Sequence, residues 1–299
     1  MTSGGAATAA GPVCRVCGSL ATPAGTARGH FLQRDYALAQ CASCGYGFVV
    51  DPTTEFAILY DERYYDGRGA DPLVDYGFEL QAPAQTIRAY EWRGIERVAS
   101  DLIGTPAGRR WIDFGCGNGG LVRYLRDHAG VDAVGLEDGS IADRARAAGI
   151  PVEPTDRVDD HRASADVVTA IEVLEHVVDP VDELRVMRSL LKPGGLLFVT
   201  TGNLRPHAAD LAGWRYVVPE IHISFFEPRT LAWAMRRAGF RPEHQRLGPG
   251  FDSILTYKVL KNLRLRRRSA LTDAIPQRLV SLAAERLEHL GEHPIGWAV

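Results

Sequence analysis

Two groups of residues in this 299-residue chain have types and spacings that could do chemistry. The first is Asp113-Phe-Gly115-Cys116-Gly117-Asn-Gly119-Gly120, a glycine run between an apolar stretch and a helical pattern. Glycines at such a turn let a ligand reach the backbone and leave amide N–H groups free to bind it. The run opens with an acid, which a phosphate site would avoid. No Lys-Ser/Thr pair follows the glycines, so a P-loop is excluded. Glu137 closes the next apolar segment, about 20 residues on, where a carboxylate can accept both hydroxyls of a ribose. The second group is Cys14-Arg-Val-Cys17 and Cys41-Ala-Ser-Cys44. Its spacing is that of a tetrahedral four-cysteine zinc site, with Gly18 and Gly45 placed for the knuckle turns. No open ligand position is implied. The metal is expected to be structural, because so small a module cannot build enough core alone.

The elements around these groups are legible from periodicity. Residues 1–12 are small and aperiodic and are expected to be a disordered tail. Residues 13–50 form the zinc-ribbon-like module, and 51–84 a connector rich in tyrosines and acids. A core over 85–250 alternates helices with short apolar strands: Arg110–Phe114, Asp132–Leu136, Asp166–Ala170 and Leu196–Thr201. Such alternation predicts an α/β fold with a parallel sheet covered on both faces. Residues 251–299 hold six basic residues between Lys258 and Arg268, an amphipathic helix over Leu279–Leu290, and a final strand. The basic run is expected to be a solvated helical face inserted before that strand.

Composition bounds the function classes. Lys+Arg 34 against Asp+Glu 37 leaves a net charge of −3, which excludes a globally basic nucleic-acid binder. Hydrophobic residues at 45% suit a soluble domain with a sizeable core. No apolar stretch is long enough to span a bilayer, and the N-terminal residues lack a signal-peptide pattern. The expected location is the cytoplasm, with no membrane partner. The oligomeric state is open, a homodimer being one option.

At the glycine loop the sequence resembles the class I S-adenosylmethionine-dependent methyltransferases, whose loop reads acid-x-Gly-x-Gly-x-Gly. Asp166-Val-Val-Thr-Ala-Ile-Glu172-Val-Leu-Glu175-His176 is similar to that family's fourth-strand motif. Leu191-Lys-Pro-Gly-Gly195 resembles the turn before its fifth strand, and His222-Ile-Ser-Phe-Phe226 the segment closing the substrate side. The resemblance implies a Rossmann-like seven-stranded sheet. It also implies that Asp113 holds the methionine amino end, that Gly115, Cys116, Gly117 and Gly119 pass under the cofactor, and that Glu137 binds the ribose. Asp138 and Asp156 would flank the adenine. Cys116 itself reads as a small filler of the loop rather than a nucleophile.

The zinc module, the connector and the core together resemble bacterial methyltransferases of natural-product and sugar biosynthesis. Leu59-Tyr-Asp-Glu-Arg-Tyr64-Tyr65 looks like that subgroup's connector, which places Tyr65 over the cofactor pocket. Candidates for handling the acceptor's proton are His222, Glu172 and His176, each with a plainer reading as a core or helix-start residue. Glu172, just past the fourth strand and facing where the transferable methyl should be, is expected to bind the cofactor as well. Trp214 and Tyr216 could wall an acceptor pocket. The expected activity is methyl transfer to an oxygen, nitrogen or carbon of a small molecule. The alternatives are an RNA methyltransferase gripping phosphates with the zinc module and basic tail, and a zinc-dependent scaffold with a degenerate cofactor fold.

Overall fold

Three N-terminal strands, β1 (Thr22–Arg28), β2 (Asp35–Gln40) and β3 (Gly47–Val49), form an antiparallel meander beside the two cysteine pairs. The remaining strands are β4 (Arg110–Phe114), β5 (Asp132–Leu136), β6 (Val152–Glu153), β7 (Ala165–Ile171), β8 (Leu191–Thr200), β9 (Ser224–Phe225), β10 (Phe240–Gln245) and β11 (His293–Ala298). This computed structural model describes residues 11–60, 65, 75–245, 249–286 and 293–299. Most of the expected tail, Tyr64, and the end of the Leu279–Leu290 pattern lie outside the described residues.

Seven strands build the main sheet, in the order β10-β11-β8-β7-β4-β5-β6. The five from β8 to β6 are parallel, and β11 enters antiparallel between β10 and β8. Alternation along the strands assigns the two faces. Trp111, Ala133, Val167 and Phe198 pack beneath the helices Arg88–Ile103, Gly120–Ala129 and Pro249–Asn262. Ile112, Val134, Val168 and Val199 face the helices Pro180–Leu190 and Pro228–Arg237. The Arg88–Ile103 helix buries Ile95, Val98 and Ala99 along one stripe and ends at Gly104, whose φ of +78° suits glycine. Pro180 stands in the first turn of its helix, and the Asp179 carboxylate caps the N–H groups of Val181 and Asp182.

The cysteine module does not stand apart. Its sheet is completed by β9, which comes from the second half of the chain and pairs antiparallel with β3. Cys14, Cys41, Cys44, Tyr46 and Phe48 belong to the same buried cluster as Ile112, Val168 and Leu231. The module thus borrows the core it is too small to make. Side-chain bonds lock the join: Tyr46 Oη lies 2.5 Å from Ser224 Oγ, and Ser224 Oγ donates to the Val177 carbonyl at 2.7 Å. Thr230 Oγ1 donates to the Cys44 carbonyl at 2.5 Å.

Because the Tyr46 hydroxyl is fully buried, its loss leaves part of Ser224's hydrogen bonding unmet. Tyr46→Phe is expected to lower unfolding free energy by about 1–3 kcal/mol, read from a denaturant titration. An unchanged midpoint would mean that this contact does not secure the join.

Candidate functional site

From β4 the chain runs to β5 on one side, and later from β7 to β8 on the other. At this reversal a crevice opens beyond the carboxyl ends of β4 and β7, the usual ligand position in such sheets. Asp113 sits at its floor, buried, accepting the Thr169 hydroxyl at 2.7 Å. Thr169 in turn accepts the Trp111 indole N–H at 3.0 Å. Burial pushes the Asp113 carboxyl up to about 7. A buried carboxyl with that tendency suits a cationic ligand group.

The glycine loop follows directly. Gly115, Gly117 and Gly119 have φ of +69°, +56° and +70°. A Cβ at Gly115 would lie 2.7 Å from Val173, and one at Gly117 3.3 Å from the Tyr76 ring, so side chains are excluded on two counts. Glu137, at the end of β5, accepts the N–H of Gly117 and that of Asp138, both at 2.9 Å. Burial raises its carboxyl. Asp138 is exposed and accepts the Thr155 N–H at 3.1 Å, while Asp156 is exposed one residue further on. The Cys116 side chain fills the space a Gly135 side chain would need, and burial keeps its thiol protonated.

The connector lies over this loop. Tyr65 is buried with Leu59, Ile141 and Ile221, its ring 6.0 Å from that of Tyr76. Burial and the Glu137 charge push Tyr65 up to about 12. Asn118 ties the Tyr76–Gln81 helix down: its amide N–H groups donate to Tyr76 O (3.2 Å) and Glu79 Oε2 (3.1 Å), and its carbonyl accepts from Gly120 (3.0 Å). Sequence reasoning gave Asn118 no role, although it is the polar interruption of the glycine run.

Across the crevice, Glu172 ends β7 in a left-handed conformation, φ +56°. Its carboxylate accepts from Thr200 (3.1 Å), Tyr216 (3.4 Å) and Lys258 (2.6 Å). Burial opposes its charge, but Lys258 and Lys261 outweigh that and hold it below the usual range. The same Tyr216 hydroxyl donates to Glu175 at 2.5 Å. Glu175 is fully buried, its second oxygen lacks a partner among the described residues, and burial with the Glu172 charge raises its carboxyl.

Two histidines adjoin it. His176 Nδ1 lies 2.9 Å from both Tyr60 Oη and Ile221 O, and His222 Nδ1 donates to Tyr216 O at 2.7 Å. The rings are 4.9 Å apart, and ligand atoms of Glu175, His176 and His222 all fall within 4.8 Å. Burial, then the neighbouring His222, lowers His176 to about 4. With Nδ1 bonded to a backbone carbonyl, the remaining ring nitrogen of His222 is Nε2. The rings of His207, Trp214 and Tyr216 stack in succession at 4.9 and 4.8 Å, and His222 lies tilted against Tyr216 at 4.3 Å. The two histidines, Glu172 and the aromatic wall therefore converge on one side of the crevice.

One expectation is corrected. Lys258 is not on a solvated face: its side chain is 18% exposed and pairs with Glu172 and, at 3.8 Å, with Glu91. The helix Pro249–Asn262 packs along Arg88–Ile103, which turns this lysine inward. Arg88 completes the network, 2.7 Å from Glu91 and 2.9 Å from Tyr257 Oη. A single lysine within the apolar run Ile254–Leu260 was the available signal.

At the other end of the molecule the four cysteine sulfurs lie within 4.8 Å of one another, with Cys14–Cys44 and Cys17–Cys41 at 3.5 Å. Tetrahedral zinc with bonds near 2.3 Å spaces its sulfurs by about 3.8 Å. The donor set fits that ion.

Residues 84–245 match the family model described as a methyltransferase domain. The ubiquinone biosynthesis O-methyltransferase of Bordetella avium is 32% identical over 167 residues, 49% of this chain and 68% of that protein. Its counterpart from Xanthomonas axonopodis pv. citri is 33% identical over 189 residues, 57% and 78% of the two chains. Among solved structures, an S-adenosylmethionine-dependent methyltransferase from Mesorhizobium loti covers 57% of this chain and 96% of its own, at 24% identity and TM-score 0.42.

The depressed His176 value has a readable consequence. Between pH 6.5 and 4 an unfolded chain protonates this imidazole and the folded one does not, so its contribution to stability is lost as pH falls through that window. Asp113, raised toward 7, acts with the opposite sign, so the test must be site-resolved. Long-range 1H–15N NMR should find His176 neutral down to about pH 5. Protonation near its ordinary value would contradict the buried environment.

Proposed function

The chain belongs to the methyltransferase-domain family of S-adenosylmethionine-dependent enzymes, and on that premise we propose that it methylates a hydroxyl group on a planar small molecule of a biosynthetic pathway. The observation that carries this is the pair of adjoining imidazoles, His176 and His222, set among aromatic rings across the crevice from the glycine loop, with burial favouring the uncharged form of His176. An oxygen acceptor must lose its proton, and an uncharged imidazole can take it. The relatives' names as O-methyltransferases support the same atom. The aromatic wall of Trp214, Tyr216 and His222 suits a flat acceptor better than a polyol, so a planar natural-product precursor is favoured over a sugar.

When bound, S-adenosylmethionine supplies an electrophilic methyl group on a sulfonium. The residues beneath it fit: bare glycines at 115, 117 and 119 admit the ligand to the backbone, Glu137 accepts the ribose hydroxyls, and Asp113 meets the amino end. Asp138 and Asp156 border the adenine side, with Tyr65 and Tyr76 as cover. His222 would take the proton of the acceptor hydroxyl through Nε2. His176, held by Tyr60 and Ile221, keeps His222 in place. Exclusion of water by the tyrosines and accurate positioning supply much of the acceleration in such a displacement.

The RNA reading is less well supported. Lys258 is turned into the crevice, Arg266 pairs with Asp75 at 3.1 Å, and Arg268 pairs with Asp273 at 2.9 Å, so half of the six basic residues in the run already have carboxylate partners within the chain. For the cysteine cluster the reading is one structural zinc, which metal analysis of the purified protein should find at about one per chain.

Incubation with methyl-labelled S-adenosylmethionine and a host extract should place label in the small-molecule fraction. Label in RNA would overturn the reading. Glu137→Gln is expected to weaken S-adenosylhomocysteine binding about tenfold or more, as loss of charged hydrogen bonds does. His222→Ala should leave that binding intact and lower kcat by about 10²–10⁴. Full activity in His222→Ala would remove it as the base.

A further inference from the structure

We propose that Lys258 is a positioning residue of the methyl-transfer crevice: from the C-terminal helical segment it fixes Glu172 and settles which of two buried glutamates carries the charge. The inference rests on the reading above only for its consequence on cofactor binding.

Lys258 Nζ is 2.6 Å from Glu172 Oε1, and the two side chains are only 18% and 19% exposed. Its helix is otherwise apolar here, with Ile254, Leu255, Val259 and Leu260 all buried. An ammonium in such surroundings costs several kcal/mol unless paired, so the contact is not an incidental surface bridge. The carboxylate it meets belongs to a residue in a left-handed conformation, which a non-glycine residue keeps only when its surroundings demand it. The demand comes from three sides: Lys258, the Thr200 hydroxyl, and the Glu172 N–H bonded to Thr200 O at 2.9 Å.

Tyr216 links this pair to Glu175. One hydroxyl reaches both carboxyl groups, at 3.4 Å from Glu172 and 2.5 Å from Glu175. Two carboxylates so close in a buried site do not both ionise, and whichever has the better countercharge keeps the negative charge. Lys258 gives that advantage to Glu172. The other charged groups facing Glu172 are Lys261 from the same helix and Arg88 from the neighbouring one, both cationic, while Glu91 faces Lys258. Glu175 is then the protonated partner. It lies beside His176 and His222, where a second negative charge would favour the protonated imidazolium form of either ring. Lys258 thus acts on the histidines through three intermediaries, Glu172, Tyr216 and Glu175, without touching either ring.

The experiment is a carboxyl 13C NMR titration from pH 5 to 8 on the full chain and three variants, with S-adenosylhomocysteine affinity measured by calorimetry on each. In the wild type Glu172 should stay charged and Glu175 protonated throughout. Lys258→Met should bring Glu172 into titration within that range and weaken S-adenosylhomocysteine binding at least fivefold. Lys258→Arg, which keeps the countercharge, should restore both. Should Lys258→Met fail to fold, Glu172→Gln leaves the lysine in place and should release Glu175 to its charged form above neutral pH. The proposal is overturned if Glu172 stays charged in Lys258→Met, if Lys258→Arg behaves like Lys258→Met, or if Glu175 stays protonated in Glu172→Gln. Failure of the wild type to bind S-adenosylhomocysteine would instead strike the methyltransferase reading and leave the titration as the test of the charge assignment.

Discussion

Gly47 and Phe48 pair with Phe225 and Ser224, and on that short ladder the acceptor side of the crevice depends. On one side of it stand the cysteine turns. Gly45 N–H donates to Cys41 O, and Cys41 N–H to Tyr46 O, both at 2.8 Å, so the second cysteine pair sets the start of β3. On the other side, Ile223 N–H donates to Glu175 O at 2.7 Å and Ile223 O accepts from Val49 at 3.0 Å. Residue 222 lies one step from this ladder, and its ring faces His176. The four-cysteine cluster and the His222 ring beside the crevice are therefore joined by a few backbone hydrogen bonds.

The crevice divides its charges. Toward the glycine loop, Asp113 and Glu137 are carboxyl groups whose burial favours protonation until a cation or hydroxyl donors arrive. Across the crevice, lysine keeps Glu172 ionised, while burial favours the neutral forms of His176 and Glu175. That asymmetry suits a reaction in which one side binds a positively charged donor and the other takes a proton from a neutral acceptor. Aromatic residues from three separate segments, Tyr60, Tyr76 and Tyr216, border the same space and limit its water.

Much of this was legible in the chain. Arg110–Phe114 and Asp132–Leu136 appear as strands with the bounds that their apolar runs predict, because a buried parallel strand needs a short run and little else. The glycine loop and Glu137 stood out by residue type and spacing, and the fold brings them together, with Glu137 accepting the Gly117 N–H. The cysteine pairs converge because four thiols can hold one ion only if the fold brings them together. What escaped was long-range. Nothing local shows that residues 224–225 complete a sheet with residues 47–49, since pairing across so many residues is set by tertiary packing. Lys258 escaped for the opposite reason: it sits in a basic run whose later members, Arg264, Arg266 and Arg267, do face solvent, and only its apolar neighbours distinguished it. Arg88, Glu91 and Asn118 have ordinary local settings and acquire meaning only through partners far away in sequence.

The most direct test of this coupling is hydrogen exchange of the folded protein with and without a metal chelator. If the metal-bound module holds the acceptor wall, chelation should speed exchange at the amides of 222–226 as well as those of 41–49, while β4 and β5 stay protected. Protection of 222–226 that survives loss of the metal would show that the wall stands without the module, and the account would fail.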